Sequence, residues 1–218
     1  MYVLIASPVY SKEVCADFLM SAFATAQDLM RRDIPAQLHV VTGLPFVDLA
    51  RNRIVQHFLH NTNATDLLFI DSDQGWDYNA IPRVLASDED IVVGLPPKRT
   101  DPPEFHSNAL TGVMRNGLMQ SLEGGTGFMR IKRRVFAKLD AAYPELRAGG
   151  KGGYVPYFQT KTIADGVQGE DIFFSRLWTG IGEHFWIDSD ITFTHRGSHA
   201  WKGNFYEHAV DTGLLKVA

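Results

Sequence analysis

Two carboxylates stand one residue apart in Asp71-Ser72-Asp73, directly after the apolar run Leu67-Leu68-Phe69-Ile70. Such a run predicts a strand buried on both faces, the usual state in a parallel sheet. In open α/β sheets ligands collect at the carboxyl ends of strands, so the two acids are expected to face a ligand crevice. Oxygen-only donors at this spacing suit a hard divalent cation, Mg²⁺ or Mn²⁺. The competing reading is a pair of surface turn aspartates. The same tripeptide recurs as Asp188-Ser189-Asp190, between Phe185-Trp186-Ile187 and Ile191. There it reads as a hairpin turn between two short strands.

Two further stretches carry usable chemistry. Glu170 and Asp171 follow Gly169 and open a helical pattern. A carboxylate there can take the proton of a hydroxyl nucleophile, and a helix N-terminus favours its ionised form. Plain helix capping is the alternative. His195 follows Ile191-Thr192-Phe193-Thr194 and so falls at a strand end. An imidazole can complete a site built from carboxylates, or it is one loop histidine among the eight in the chain.

The elements that must position these groups can be read in order. Tyr2 to Ala6 is a first buried strand. Ser11 is placed to cap the next helix, with Glu13 in its first turn. That helix carries Val14, Phe18, Ala22 and Ala26 at four-residue spacing, and Pro35 ends it. Leu38 to Thr42 is a strand, Val47 to His60 a helix with Ala50, Ile54 and Phe58 inward, and Asp90 to Leu95 a strand after a helix from Tyr78 to Ala86. The order β-α-β-α-β-α-β predicts a wound parallel sheet. Beyond residue 96 the pattern turns mixed, with strands expected at Gly117 to Leu122, Thr126 to Ile131 and Tyr154 to Gln159, and a helix from Glu170 to Thr179.

Length and composition bound the reading. At 218 residues the chain suits one α/β domain. A formal net charge of -4 gives no basic field for nucleic acid or anionic membrane. A lone cysteine, Cys15, allows neither an intrachain disulfide nor a structural zinc site. No apolar run approaches a membrane span and no leader pattern precedes Val9, so no stable membrane insertion is expected and a cytoplasmic location is the default.

The order of motifs resembles the GT-A fold glycosyltransferases, in the broad group that includes family 2. The match rests on the first strand running into Ser7-Pro8-Val9-Tyr10, on Asp71-Ser72-Asp73, on Gly124-Gly125-Thr126-Gly127-Phe128-Met129, on Gly169-Glu170-Asp171, and on the closing His195-Arg196-Gly197. It implies an α/β fold: a single GT-A (Rossmann-like) domain over residues 1–218, mostly parallel with a mixed C-terminal half. Residues up to about 95 would form the nucleotide-binding half, and about 96–218 the acceptor side. It implies a metal-dependent transfer of a sugar from a nucleotide-diphosphate sugar donor to an acceptor hydroxyl, preferably with inversion. The acceptor is left open among a glycan, a lipid-linked glycan, a protein or a nucleobase.

By the same resemblance Asp73 would ligate Mn²⁺ or Mg²⁺ directly. Asp71 would share the metal and the ribose, and His195 would be a third ligand. Asp171, with Glu170 second, would be the base. Pro8 and Tyr10 would meet the base and ribose of the nucleotide, with Tyr10 stacking. Arg51 and Asn52 are placed to contact the nucleotide or to form a solvated helix face. Lys202 is in reach of the diphosphate or is a surface lysine. The Gly124–Gly127 stretch would admit sugar hydroxyls to the backbone, or is a plain hairpin turn. The Pro-rich stretch 96–112 and the Gly-rich stretch 147–153 are candidate lids.

Other readings compete. Aspartate-nucleophile phosphatases and phosphotransferases also place Asp-x-Asp after a strand, but on the first strand of their fold. Nucleotidyl transfer to a sugar phosphate would need a Gly-rich, Lys-bearing loop in place of Ser7-Pro8-Val9-Tyr10. A non-catalytic nucleotide- or sugar-binding module would keep the carboxylates without turnover.

Overall fold

The computed structural model describes residues 1–106, 109–148, 154–164, 166–197 and 199–215. The chain opens with β1 (Val3–Val9), α1 (Ala16–Arg31), β2 (Ala36–Thr42), α2 (Val47–Asn61) and β3 (Asp66–Ile70). It continues through β4 (Gln74–Trp76), α3 (Ala80–Ala86), β5 (Ile91–Val93), β6 (Leu110–Arg115), β7 (Leu118–Ser121) and β8 (Phe128–Lys132). Then come α4 (Arg133–Ala142), α5 (Pro144–Ala148), β9 (Lys161–Ile163), β10 (Gly166–Gln168), α6 (Glu170–Gly180), β11 (Phe185–Asp188), β12 (Thr192–Arg196), β13 (Ala200–Asn204) and α7 (Phe205–Asp211).

Eight strands form one mixed sheet in the order β2-β1-β3-β8-β5-β11-β7-β6. β1 pairs in parallel with β2 and β3, and β11 with β5. β8 runs antiparallel to both its neighbours, β3 and β5. The expected unbroken parallel run from β1 to β5 is therefore interrupted by a strand from much later in the chain. The α/β class stands. The sheet is mixed through its middle and not only at its C-terminal end.

Alternation along the strands feeds two cores. Leu4, Ala6, Leu67 and Phe69 face the layer that holds Ile54 and Phe58 of α2 and Phe174 and Trp178 of α6. Val3, Ile5, Leu68 and Ile70 face the layer that holds Phe18 of α1 and Ile81 and Val84 of α3. This is why Leu67–Ile70 is apolar at every position: helices cover both faces. Arg130 of β8 is fully buried, and its guanidinium donates to the carbonyls of Val84, Ser87, Glu89 and Asp90, tying β8 to the end of α3 and the approach to β5.

Several local expectations are corrected. α1 starts at Ala16 and is capped by Cys15, whose Sγ accepts from the Phe18 amide, so Ser11 is not its cap. Its inward residues are Phe18, Thr25, Asp28 and Leu29, while Leu19, Met20, Phe23 and Met30 are exposed. Residues 154–159 make no ladder. Phe158 donates its amide to Asn52 Oδ1 at 3.0 Å, and the strand pair nearby is β9–β10. β11 and β12 lie in different sheets, so Asp188-Ser189-Asp190 is a crossover between sheets and not a hairpin turn. The central part of the Gly-rich stretch, 149–153, lies outside the described residues, as do 107 and 108 in the Pro-rich stretch.

Candidate active site

Beyond β3 the chain turns sharply, and a second sheet of three strands, β13-β12-β4, holds that turn. β4 begins one residue after Asp73 and pairs with β12 so that Gln74 lies opposite His195. The Asp73 carbonyl accepts from the Arg196 amide at 2.8 Å, and the Ser72 carbonyl from the Cys15 amide at 3.0 Å. The Asp71 amide donates to the Gly127 carbonyl at 3.0 Å. Three separate segments thus fix the acid turn at the carboxyl end of β3.

A cleft of about 510 Å³ opens there. It is lined by Arg51, Asp71, Gln74, Lys98, His106, Glu170, Asp171 and His195 together with the 94–97 and 123–127 segments. The cleft brings together five residues from distant parts of the sequence that were expected at one site: Arg51, Asp71, Glu170, Asp171 and His195. Asp73 stands at its edge, bound to His195.

Arg51 links the two acid groups. It is 3% exposed, and donates from Nη2 to Asp71 Oδ1 and from Nε to Glu170 Oε1, each at 3.0 Å. Burial opposes its charge, but Asp71 and Glu170 outweigh that and keep it a cation. Its role here is to join the end of β3 to the start of α6. Asn52, the next residue, does not reach the cleft. Its amide donates to the Phe158 carbonyl at 2.7 Å and to the Tyr154 hydroxyl at 3.0 Å, which makes it a clamp on the 154–158 segment. Pro8 lies near the end of β1, paired with Val41 of β2, and Tyr10 follows the strand; neither lines the cleft, and Tyr10 is 69% exposed. Lys202, on β13, is likewise absent from the lining.

Asp73 is paired on its outer oxygen. Arg99 donates to Oδ2, and His195 Nε2 lies 3.6 Å from the same atom. The other oxygen, Oδ1, is buried without a partner among the described residues. Burial alone would raise the Asp73 carboxyl, but His195 and Arg99 overcome it and hold the group below the usual carboxylate range. Asp73 in turn pushes the His195 imidazole up, against burial, and the Pro97 carbonyl fixes its Nδ1 at 2.8 Å.

Asp171 differs from both. It opens α6, after Gly169, where a Cβ would come within 2.8 Å of its own Oδ1. Oδ1 accepts from the Ile172 amide at 2.8 Å. Burial, then the neighbouring Glu170 charge, push its carboxyl above the usual range. A carboxylate that binds protons more readily than usual is better matched to taking one from a hydroxyl.

Mg²⁺ commonly binds one or two carboxylates and completes its shell with water and substrate phosphates. The chemistry of the donors, two carboxylates and an imidazole, and the unpartnered Asp73 Oδ1 fit such an ion. Among the described residues no three His, Cys, Asp or Glu side chains already converge as a ligand set.

The sequence reading missed Gln74, Arg99, Lys98 and His106. Gln74 directly follows the acid pair, which was the available signal. The other three lie in the Pro-rich stretch and carried no pattern of their own.

No protein-family model and no curated protein matches this sequence. Solved structures do share its fold. The protein A197 from STIV superposes with a TM-score of 0.53 at 18% identity, over 90% of this chain and 86% of that one. The catalytic domain of Drosophila β1,4-galactosyltransferase 7, in complex with xylobiose, superposes with a TM-score of 0.52 at 12% identity, over 87% of this chain and 65% of that one. The fold, an α/β arrangement on a large mixed sheet, is therefore one that a glycosyltransferase catalytic domain also uses.

Proposed function

We propose that the protein is a metal-dependent glycosyltransferase that moves a sugar from a nucleotide-diphosphate sugar to an acceptor hydroxyl, with inversion. The observation that carries this reading is the meeting in one cleft of Asp71, beside Asp73, with Glu170 and Asp171, about a hundred residues away in sequence. An acid pair at a strand end and a second acid opposite, with raised proton affinity, is the arrangement that displacement at a sugar carbon needs.

Asp71, Asp73 and His195 would hold Mn²⁺ or Mg²⁺, which when bound offsets the negative charge of the departing diphosphate. Asp171 accepts the acceptor hydroxyl proton as the new bond to the sugar forms. Glu170 keeps Arg51 in place and, with it, Asp71. Lys98 lines the cleft and Arg99 reaches Asp73 beside it, two cations that a diphosphate can meet. The 96–106 stretch touches the site through Pro97 and Arg99, which supports its reading as a cover that excludes water from the donor. Among the described residues no helix is long and apolar enough to cross a membrane.

The test is thermal denaturation against a panel of nucleoside diphosphates, with and without Mn²⁺, since a ligand that binds the native state raises the melting temperature. One diphosphate is expected to do so only when the metal is present. If none shifts the transition under either condition, the reading is wrong.

A further inference from the structure

The side chain of Gln74 is difficult to explain as structure alone. It is 3% exposed and lines the cleft. Its Oε1 is buried with no hydrogen-bond partner among the described residues. Buried amides are nearly always satisfied, and each exception calls for an account. The Gln74 backbone is fixed by the β4–β12 ladder opposite His195, and its amide packs so closely on the 124–127 turn that a Cβ on Gly127 would lie 2.6 Å from Nε2. The same point lies 3.5 Å from Asp71 Oδ2, so the amide and the free Asp71 oxygen flank one spot.

A second unsatisfied group lines the same cleft. Arg51 Nη1 is buried and has no partner among the described residues, although Nε and Nη2 are both engaged. An amide oxygen only accepts and a guanidinium only donates. A ligand that completes both must present an O–H or N–H to one and an oxygen to the other. Phosphate oxygens at neutral pH supply only acceptors and cannot satisfy Gln74 Oε1. Adjacent sugar hydroxyls supply both in one fragment.

We infer that Gln74 and Arg51 Nη1 bind hydroxyls of the transferred sugar, and that Gln74 is a specificity-determining residue for the sugar half of the donor. This rests on the reading of the cleft as a nucleotide-sugar site. The cleft also contains Asp171, so a sugar held by Gln74 shares one chamber with the proposed base. Pro8 and Tyr10, which the resemblance to GT-A enzymes assigns to the nucleotide, lie outside it.

The experiment measures binding by calorimetry in Mn²⁺ for UDP and UDP-glucose, GDP and GDP-mannose, and dTDP and dTDP-glucose, on the wild type and on Gln74→Met. Methionine keeps the length and removes the polar atoms. At least one sugar conjugate is expected to bind the wild type more tightly than its parent diphosphate. Gln74→Met should cut that advantage by roughly tenfold, the value of one hydrogen bond, while the affinity for the parent diphosphate stays within about twofold. The ligand-free variant should melt at or above the wild-type temperature, because a partnerless buried amide is replaced by an apolar group.

Equal weakening of parent and conjugate would assign Gln74 to the nucleotide and overturn the inference. So would unchanged affinities, or equal affinities of parent and conjugate for the wild type. A large drop in melting temperature without ligand would make the amide structural and overturn it too. Failure of every diphosphate to bind the wild type is a different result, which removes the glycosyltransferase reading itself.

Discussion

The chain writes Asp-Ser-Asp twice and uses it for opposite ends. At 188–190 a single arginine takes both acids: Arg83 donates to Asp188 Oδ1 and Oδ2 at 2.7 and 3.1 Å and to Asp190 Oδ2 at 3.0 Å. Asp188 also receives the Asp190 amide at 3.2 Å, and its side chain is 5% exposed. Asp188 is saturated by its own fold while Asp190 stays 55% exposed, and the motif works as a clamp between α3 and the β11–β12 crossover. At 71–73 each acid meets a different arginine, Arg51 from α2 and Arg99 from the 96–106 stretch, and each leaves one oxygen outside that pairing. An acid pair gripped by one cation is complete. An acid pair held by two cations from separate segments, with one oxygen buried and unpartnered among the described residues, is the kind we propose takes a ligand.

The sharpest way to separate the two is to remove what only the first one faces. Asp171→Asn should reduce transfer by about a hundred- to ten-thousandfold while leaving donor affinity intact, measured as kcat against the donor KM. The raised proton affinity of Asp171 adds two pH consequences. Transfer should fall off, as pH decreases, at a higher pH than an ordinary aspartate would give. Because the folded-state pKa lies above the unfolded one, the stability linked to this group is present at low pH and is lost as pH rises through the raised value. Asp171→Asn should therefore melt higher than wild type at neutral pH. A lower melting point there would reassign Asp171 to helix capping.

Next in size is the crosswise exchange of the acids. Asp73→Asn should lower metal-dependent donor binding by about a hundredfold with little change in melting temperature. Asp188→Asn should leave donor binding in place and cost about 2 kcal/mol of stability, from the loss of a charge-assisted pair to Arg83. Chemical denaturation of both variants beside a binding titration reads the contrast. Equal effects of both substitutions on both quantities would erase the distinction between the two motifs.

The smallest effects lie in the cations. Arg99→Met should tighten Mn²⁺ binding, since it releases Asp73 Oδ2, and should change stability by no more than about 0.5 kcal/mol at a largely solvated position. Arg83→Met should destabilise by about 1 kcal/mol and leave Mn²⁺ affinity unaltered. Mn²⁺ titration followed by water-proton relaxation distinguishes the two without any need for turnover.

Much of this could be read from the chain. The run Leu67–Ile70 declares a strand covered on both sides, and the acids after it declare a strand end. Ala50, Ile54 and Phe58 mark the inner face of α2, and all three are buried. What could not be read was set by partners far away. The insertion of β8 between β3 and β5 leaves no local trace. The three-residue β4 exists because β12 pairs with it. Residues 154–159 read as a strand, but Tyr157 and Phe158 are buried by aromatic packing on Phe136, Phe69 and Phe174, and a side chain, Asn52, satisfies the backbone. Asn52 was read as a ligand contact because a polar residue early in a helix looks free until its distant partner is known.

The position of β8 also governs how this protein can be made. When residues 1–95 have left the ribosome, β3 and β5 exist but the strand that belongs between them is not yet present, so each has a bare edge. Parallel pairing of the two would close the gap wrongly, and exposed edges of Leu67–Ile70 and Ile91–Val93 invite association with other nascent chains. The native sheet must wait for residues 128–132, whose Arg130 then locks the carbonyls at the end of α3. The acid turn at the tip of β3, held by Gly127 and Arg196, acquires its final shape only after more than half of the polypeptide has emerged.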